Sequence, residues 1–397
     1  MDGPLKGLRV LEIGNMVAAP MAGALLADFG AHVLKVEHPK QGDDLRQWPP
    51  IKEGTSLWWK VTNRNKDLIT LDLSKKEGCD LILRLVAGMD VLIENFRPGT
   101  MERWGLGYEQ LSEQAPRLIM ARISGYGQTG PYRDRPGYGT VAEAMSGIPA
   151  FTGFPDTGPI LSAFPLVDAL AGMTAVQGIM MALYERDRGS GLGQVVDVSL
   201  FESLFRLADL PVTAYDQLGI VKKRLGNRME EDVPRNLYRT ADDRYVAISA
   251  GSQRTFGRLA VGIGREDLLA DPRFGSAASR SEHADELDEI VRKWFSARTL
   301  AEATLALSDA DVVFGPVYDV VDIVNDPHYN ARGDIVTADD SELGPIKMHG
   351  VVPKLSRTPG RVRHPGREMG ASNEVWYREI LGLSQEEYGA LVKRGVI

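Results

Sequence analysis

Residues 161–204 constrain this chain of 397 residues more than any other part of it. They read as a loop, one acidic residue, a mostly apolar helix, a Gly-bearing turn and a strand. Asp168 is the one charge between Ile160 and Glu185. From Val167 to about Leu183 the pattern is helical and apolar nearly all round, which marks a buried helix. Ala169, Ala171, Gly172, Ala175, Gly178 and Ala182 are small and let neighbours approach closely. Asp168 is therefore expected at or near a helix N-terminus, where free N–H groups and the macrodipole favour an anion. Two readings stay open from this stretch alone. Asp is a common N-cap. It is also a nucleophile or base when desolvated at a helix end.

The chain before this stretch alternates strands and helices. LRVLEI at 8–13 reads as a strand, and a helix follows from about Pro20 to Phe29, with Gly30 as its stop. AHVLKVE at 31–37 is the next strand, so the unit is βαβ and its strands are parallel. The turn between them, Gly14-Asn15-Met16-Val17-Ala18-Ala19-Pro20, is not G-x-G-x-x-G, which argues against NAD or FAD. LITLDL at 68–73, DVLIE at 90–94 and LIMARI at 118–123 read as further strands, with an amphipathic helix over 75–87. The fold class is α/β with a mostly parallel sheet. Ligands of such sheets sit beyond the strand C-termini. That points to residues 14–19, 95–100 and 124–131. Asn95-Phe96-Arg97 offers an amide, an aromatic and a guanidinium, and Arg103 lies one helical turn on. Arg97 and Arg103 suit phosphate, although solvated loop arginines are as common. The Gly-rich run 124–130 lacks the Lys-Ser/Thr of a phosphate loop and reads as backbone approaching a ligand or a neighbouring chain.

After Leu200 a largely helical link runs to about Gly219, and from Asp232 the texture changes. RYVAISA at 244–250 reads as a strand, Gly251-Ser252-Gln253 as a turn before a helix, and 312–318 as a short strand. Apolar content of 43%, charged content of 25% and a net charge of −8 without a basic block fit a globular protein that does not bind nucleic acid. With one cysteine, Cys79, no intrachain disulfide or cysteine-based zinc site can form. The six histidines show no i, i+4 pair, so no metal site is expected, and no G-x-S-x-G elbow occurs. Carboxylates remain as candidate nucleophiles. No secretory signal is visible, the apolar helix, interrupted at Gln177, is expected to be too short to span a bilayer, and a cytoplasmic location is the default.

Several segments taken together resemble the family III CoA-transferases. They are GLRVLE at 7–12, FGAHVLKVE at 29–37, NRNK at 63–66, ENFRPG at 94–99 and ISGYGQTGPY at 123–132. The Asp168 helix, GQVVDVSL at 193–200, DPRF at 271–274 and GPV at 315–317 complete the pattern. The resemblance implies a Rossmann-like large domain (1–210 and 331–397), a smaller α/β domain with its linker (211–330), and an interlocked homodimer. It implies acyl-CoA and a carboxylic acid as substrates, with no tightly bound cofactor and no membrane. The family's nucleophilic aspartate falls on Asp168. Val17 and Ala18 fall at the thioester end, and Tyr138 near the reacting centre. Leu71, Asn95, Phe96, Arg97 and Arg103 fall on the nucleotide part of CoA, with His38 where some members carry Arg. The family's glycine loop falls on Gly251, Ser252 and Gln253, which are less glycine-rich. Formyl-CoA transferase has Gln where Val17 stands and an acidic residue where Gly139 stands. Both differences point away from formyl-CoA and oxalate, towards a roomier, less polar acyl pocket.

Two other readings are weighed beside this one. An α-methylacyl-CoA racemase needs two acid–base groups on opposite faces of the α-carbon, one a His. No His lies between His38 and His283. A CoA-binding protein without catalysis would keep the Arg and Gly loops and lose Asp168.

Overall fold

The computed structural model describes residues 3–397; residues 1 and 2, at the start of the expected 1–210 segment, lie outside the described residues. The chain forms two compact units. One comprises the chain up to Ile148, Leu161–Ile220 and Asn330–Ile397, and the other Pro149–Ile160 and Val221–Tyr329.

The first unit is built on six strands: β1 (Arg9–Glu12), β2 (His32–Glu37), β3 (Asp67–Thr70), β4 (Val91–Glu94), β5 (Ile119–Ser124) and β6 (Val195–Ser199). They hydrogen-bond in the order β3-β2-β1-β4-β5-β6, every pair parallel. The strands alternate with a period of two between two cores. Val10, Val33, Val91, Ile93 and Ile119 face one core, and Leu11, Leu34, Leu92 and Met120 the other. Burial on both faces is what makes these strands read as continuous apolar runs. On the first face pack α1 (Ala18–Asp28) and, further along the chain, α4 (Leu166–Arg188); on the second packs α2 (Lys76–Val86). α3 (Gly139–Met145) precedes α4. The C-terminal segment returns to β3, where Tyr377 Oη donates to the Thr70 carbonyl and the Asp72 N–H to that of Val396.

α4 departs from expectation in three ways. It runs over 23 residues and begins at Leu166, with Pro165 in the cap position, so Asp168 sits inside the first turn and is not the N-cap. Proline is tolerated there because its missing N–H would have no helical partner. Its length and composition are enough to cross a membrane, contrary to the sequence expectation. Nor is it buried all round. Val167, Ala171, Gly172, Ala175 and Ile179 are buried, but Met173, Met181 and Tyr184 are 55%, 62% and 72% exposed. Small residues act where they were expected to. A methyl at Gly172 would stand 2.9 Å from the Ala18 carbonyl oxygen, and one at Gly178 2.5 Å from Val196 Cγ1. After β6 come α5 (Leu200–Phe205) and α6 (Asp209–Leu218), the latter with no buried residue.

The second unit carries an antiparallel sheet of β7 (Arg235–Arg239), β8 (Tyr245–Ser249) and β9 (Phe314–Pro316), with β8 central. Helices cover it through Phe256, Leu259, Leu287, Val291 and Phe295. Phe274 of the DPRF segment is fully buried there, and its carbonyl accepts from Arg280 Nη1.

Candidate active site

β1 is where the sheet reverses direction, because its two neighbours β2 and β4 lead to opposite edges. Parallel α/β sheets open a crevice beyond the strand C-termini at that switch point. The segments after β1 and β4 meet there. The Asn15 N–H donates to Asn95 Oδ1 at 2.9 Å, and Asn95 Nδ2 donates to the Asn15 carbonyl at 2.8 Å. A cavity opens on each side of this amide pair.

The first cavity, about 540 Å³, is lined by Val17, Ala18, Asn95, Tyr138 and Asp168, together with Trp48 and Trp58. All three strand-end segments reach it, through residues 16–18, Asn95 and 123–125. The N-termini of α1 and α4 both end on it. Asp168 makes no ion pair among the described residues, and burial pushes its carboxyl up to about 6, opposed only by its own backbone N–H. Burial works against the helix end, yet a carboxyl near 6 is still mostly ionised at neutral pH. Gly139 holds the other side of the carboxylate: a methyl there would stand 2.0 Å from Asp168 Oδ2. The two Gly-bearing loops cross beside it, with a methyl at Gly125 only 3.0 Å from the Gly137 Cα. Here the chain approaches its own backbone closely.

The second cavity, about 250 Å³, is lined by His38, Leu71, Phe96, Trp104, Asp72 and Asn15. Phe96 meets Trp104 edge-on at 5.0 Å, and His38 Nε2 lies 3.8 Å from Asp72 Oδ1. Arg97 and Arg103 are exposed, Arg103 donating to Thr100 Oγ1 at 2.9 Å. Below the Phe96 N–H lies Glu94, which accepts from it at 2.7 Å and from Arg122 Nε at 2.7 Å. Burial pushes the Glu94 carboxyl up to about 7, against the pull of Arg122. The structure therefore divides the expected residues between two chambers: Val17, Ala18, Asn95, Tyr138 and Asp168 in one, His38, Leu71 and Phe96 in the other.

Gly251, Ser252 and Gln253 belong to the second unit. Ser252 caps the helix Gln253–Gly262, its Oγ accepting from the Thr255 N–H. Buried Arg280 donates to the Gly251 carbonyl and to Gln253 Oε1. A methyl at Gly251 would stand 2.0 Å from Asp232 Oδ1. Within its unit this turn is anchored at both ends.

Three features of the site escaped sequence reading. Trp48 and Trp58, 6.1 Å apart and edge to face, come from residues 39–62 between β2 and β3, to which the sequence pattern assigns no role. Glu143, one turn after Gly139, is buried and accepts from both the N–H and the hydroxyl of Ser162, fixing the approach to α4. Beneath the 14–18 turn runs a buried ionic network. Lys35 Nζ reaches Glu12 Oε1 (3.0 Å), Asp43 Oδ2 (2.8 Å) and the Gly14 carbonyl (2.8 Å). Lys66 Nζ reaches Glu12 Oε2 at 2.8 Å, and Asp43 Oδ1 accepts the Met16 N–H. Burial works against the Lys35 charge, but Asp43, Glu12 and Glu37 hold the ammonium above its usual range; burial takes Lys66 down to about 8. The signal was present in the chain: Lys35 interrupts the apolar run Val33–Val36, and Glu12 stands between Leu11 and Ile13.

Fold and site together define an α/β enzyme with a secluded carboxylate at the sheet's switch point. The description CoA-transferase family III matches residues 5–373. The chain is 43% identical to succinyl-CoA--D-citramalate CoA-transferase of Chloroflexus aurantiacus over 395 residues, covering 99% of this chain and 98% of that one. It is 41% identical to the beta subunit of succinyl-CoA--L-malate CoA-transferase of the same organism over 406 residues, covering 100% of both. A crystal structure of a CAIB/BAIF family protein from Brucella suis superposes with a TM-score of 0.86 at 31% identity, covering 96% of this chain and 100% of that one. The chain belongs to CoA-transferase family III and is an enzyme, a CoA-transferase acting on CoA thioesters.

Proposed function

We propose that this enzyme moves CoA from an acyl-CoA to a free carboxylic acid through covalent intermediates on Asp168. The observation that carries this reading is a partly desolvated carboxylate, without an ion pair among the described residues, at the meeting of two helix N-termini in the larger chamber. The carboxylate oxygen attacks the thioester carbon, the C–S bond breaks, and CoA thiolate leaves an aspartyl anhydride. The thiolate returns to the aspartyl carbonyl and releases the donor acid. The acceptor carboxylate then displaces the thiolate from that aspartyl thioester, giving a second anhydride. The thiolate finally attacks the acceptor's acyl carbon and frees Asp168. Dividing the exchange keeps the thioester's transfer potential, provided water is kept out. Free N–H groups at the start of α1, beside Val17 and Ala18, suit the oxyanions.

In this reading the nucleotide half of CoA occupies the smaller chamber, against His38, Leu71 and Phe96, with Arg97 and Arg103 at the phosphates. Asn95 stands between the halves, and Tyr138 at the mouth of the reacting chamber. The large domain (1–210 with 331–397) carries both chambers, and Gly251–Gln253 belongs to the smaller domain, 211–330. A homodimer is supported by the open apolar face of α4 and by α6, where Leu210, Val212, Tyr215 and Leu218 are all exposed. The names of the two Chloroflexus relatives support succinyl-CoA as donor and a hydroxy-dicarboxylic acid as acceptor. The setting is taken to be the cytoplasm. The test is incubation with succinyl-CoA and other acyl-CoAs plus hydroxylamine, then mass analysis of the peptide carrying residue 168. A hydroxamate on Asp168 that is lost in Asp168→Ala, along with transfer, is the expected result. Full transfer by Asp168→Ala overturns the mechanism.

A further inference from the structure

A third cavity, about 170 Å³, lies behind the reacting chamber, and Val17, Trp58, Phe164 and Pro165 border both. Its other walls include Met21, Ala24 and Leu25 of α1, Val61, and Ala169, the residue after Asp168. Apart from the Thr62 hydroxyl, the Trp58 indole N–H and the His349 ring, its uncharged lining side chains offer no hydrogen bond. The charged groups at its floor are already paired. Arg64 Nε and Nη2 donate to the two oxygens of Asp28 at 3.0 and 2.6 Å, and Nη1 to the His349 carbonyl at 2.9 Å. His349, pushed down to about 4 by burial and by Arg64, is neutral at ordinary pH. A second carboxylate would find no free cation in this space and would lose its water. Of the four shared residues, Val17 is buried, Trp58 is half-buried and Pro165 is fixed by its ring, whereas Phe164, 58% exposed, is the least confined.

From this juxtaposition we infer that the rear cavity is an alkyl subsite. It receives an uncharged aliphatic extension of the acyl or acid group delivered to Asp168, with Phe164 as the movable partition. The subsite depends on Asp168 being the acyl acceptor. Its volume takes about six carbons if each fills ~30 Å³, the space of one water. A methylene moved from water into such walls gains roughly fourfold in kcat/KM.

The test compares acetyl-, butyryl-, hexanoyl-, octanoyl-, decanoyl- and succinyl-CoA as donors to one acceptor, with hydroxylamine trapping run in parallel. In the wild-type enzyme kcat/KM rises from acetyl- to butyryl- to hexanoyl-CoA. Ala24→Phe, which fills the cavity, lowers the hexanoyl-to-acetyl ratio at least tenfold. Leu25→Ala, which enlarges it, moves the optimum to longer chains and serves if the larger side chain prevents folding. Succinyl-CoA turnover with a flat chain-length profile overturns the subsite alone. So does a profile unchanged in both variants. Absence of an Asp168 hydroxamate with every donor overturns the aspartyl mechanism, and the subsite with it.

Discussion

At residue scale the proposed chemistry turns on one carboxyl and the glycine beside it. The Asp168 carboxyl is held near 6 by burial, so its ionised fraction, and with it kcat/KM, is expected to fall as pH drops below about 6. The stability consequence has the opposite sign to that of a salt-bridged acid. A folded-state carboxyl raised from 3.8 to about 6 binds protons more tightly than the unfolded one, so stability declines as pH rises through that window and stays lower above it. Asp168→Asn is therefore expected to raise Tm by a few degrees at pH 7, with the gain fading towards pH 4, as a pH series of thermal melts would read. Gly139→Ala places a methyl 2.0 Å from Oδ2 of Asp168. Steady-state kinetics should show kcat lowered by about a hundredfold or more, since ångström-scale misplacement costs that much, with CoA binding retained. Sequence alone drew attention to Asp168, because a lone charge in an apolar run is conspicuous. It could not show the role of Gly139, because the contact joins two helices far apart in the chain.

At the scale of elements, the strand-end turns are held by buried charge. Lys35 joins Glu12, Asp43 and the Gly14 carbonyl, and through Asp43 the Met16 N–H. Lys35→Met leaves two carboxylates buried with one partner fewer, at a cost of about 3–5 kcal/mol, the usual result of breaking a buried pair. Denaturant melts should show the loss, and the 14–18 turn should exchange its amide hydrogens faster. The strands and α1 were legible because period-two and helical apolar patterns depend on local sequence. The apolar pattern stops short of the end of α4 because its last residues, Tyr184–Arg188, are polar and charged. Its outer face was misassigned because apolarity tells that a surface is covered, not by what. Trp48 and Trp58 lie in irregular chain and a short helical turn, where no periodicity points inward.

At the scale of the whole molecule, the uncovered apolar residues of α4 and α6 call for a partner. Met181→Glu combined with Tyr184→Glu is expected to convert a dimer into monomers in sedimentation or light scattering, since each charge would be buried in the interface. Transfer activity should fall with dissociation if the active site needs the partner subunit, as the family resemblance implies. An unchanged mass for the wild-type chain, at that of one copy across micromolar concentrations, would remove the dimer.

The Asn15–Asn95 amide pair stands between the two chambers like the midpoint of a gauge. A CoA thioester seated in both must lay its pantetheine arm across that pair, so the arm's length sets how far the thioester carbon reaches towards Asp168. An N-acetylcysteamine thioester carries the same reacting carbon with no nucleotide to seat. It should still acylate Asp168, only far more slowly. The ratio of the two rates would measure how much of the binding energy in the smaller chamber is spent on chemistry in the larger one.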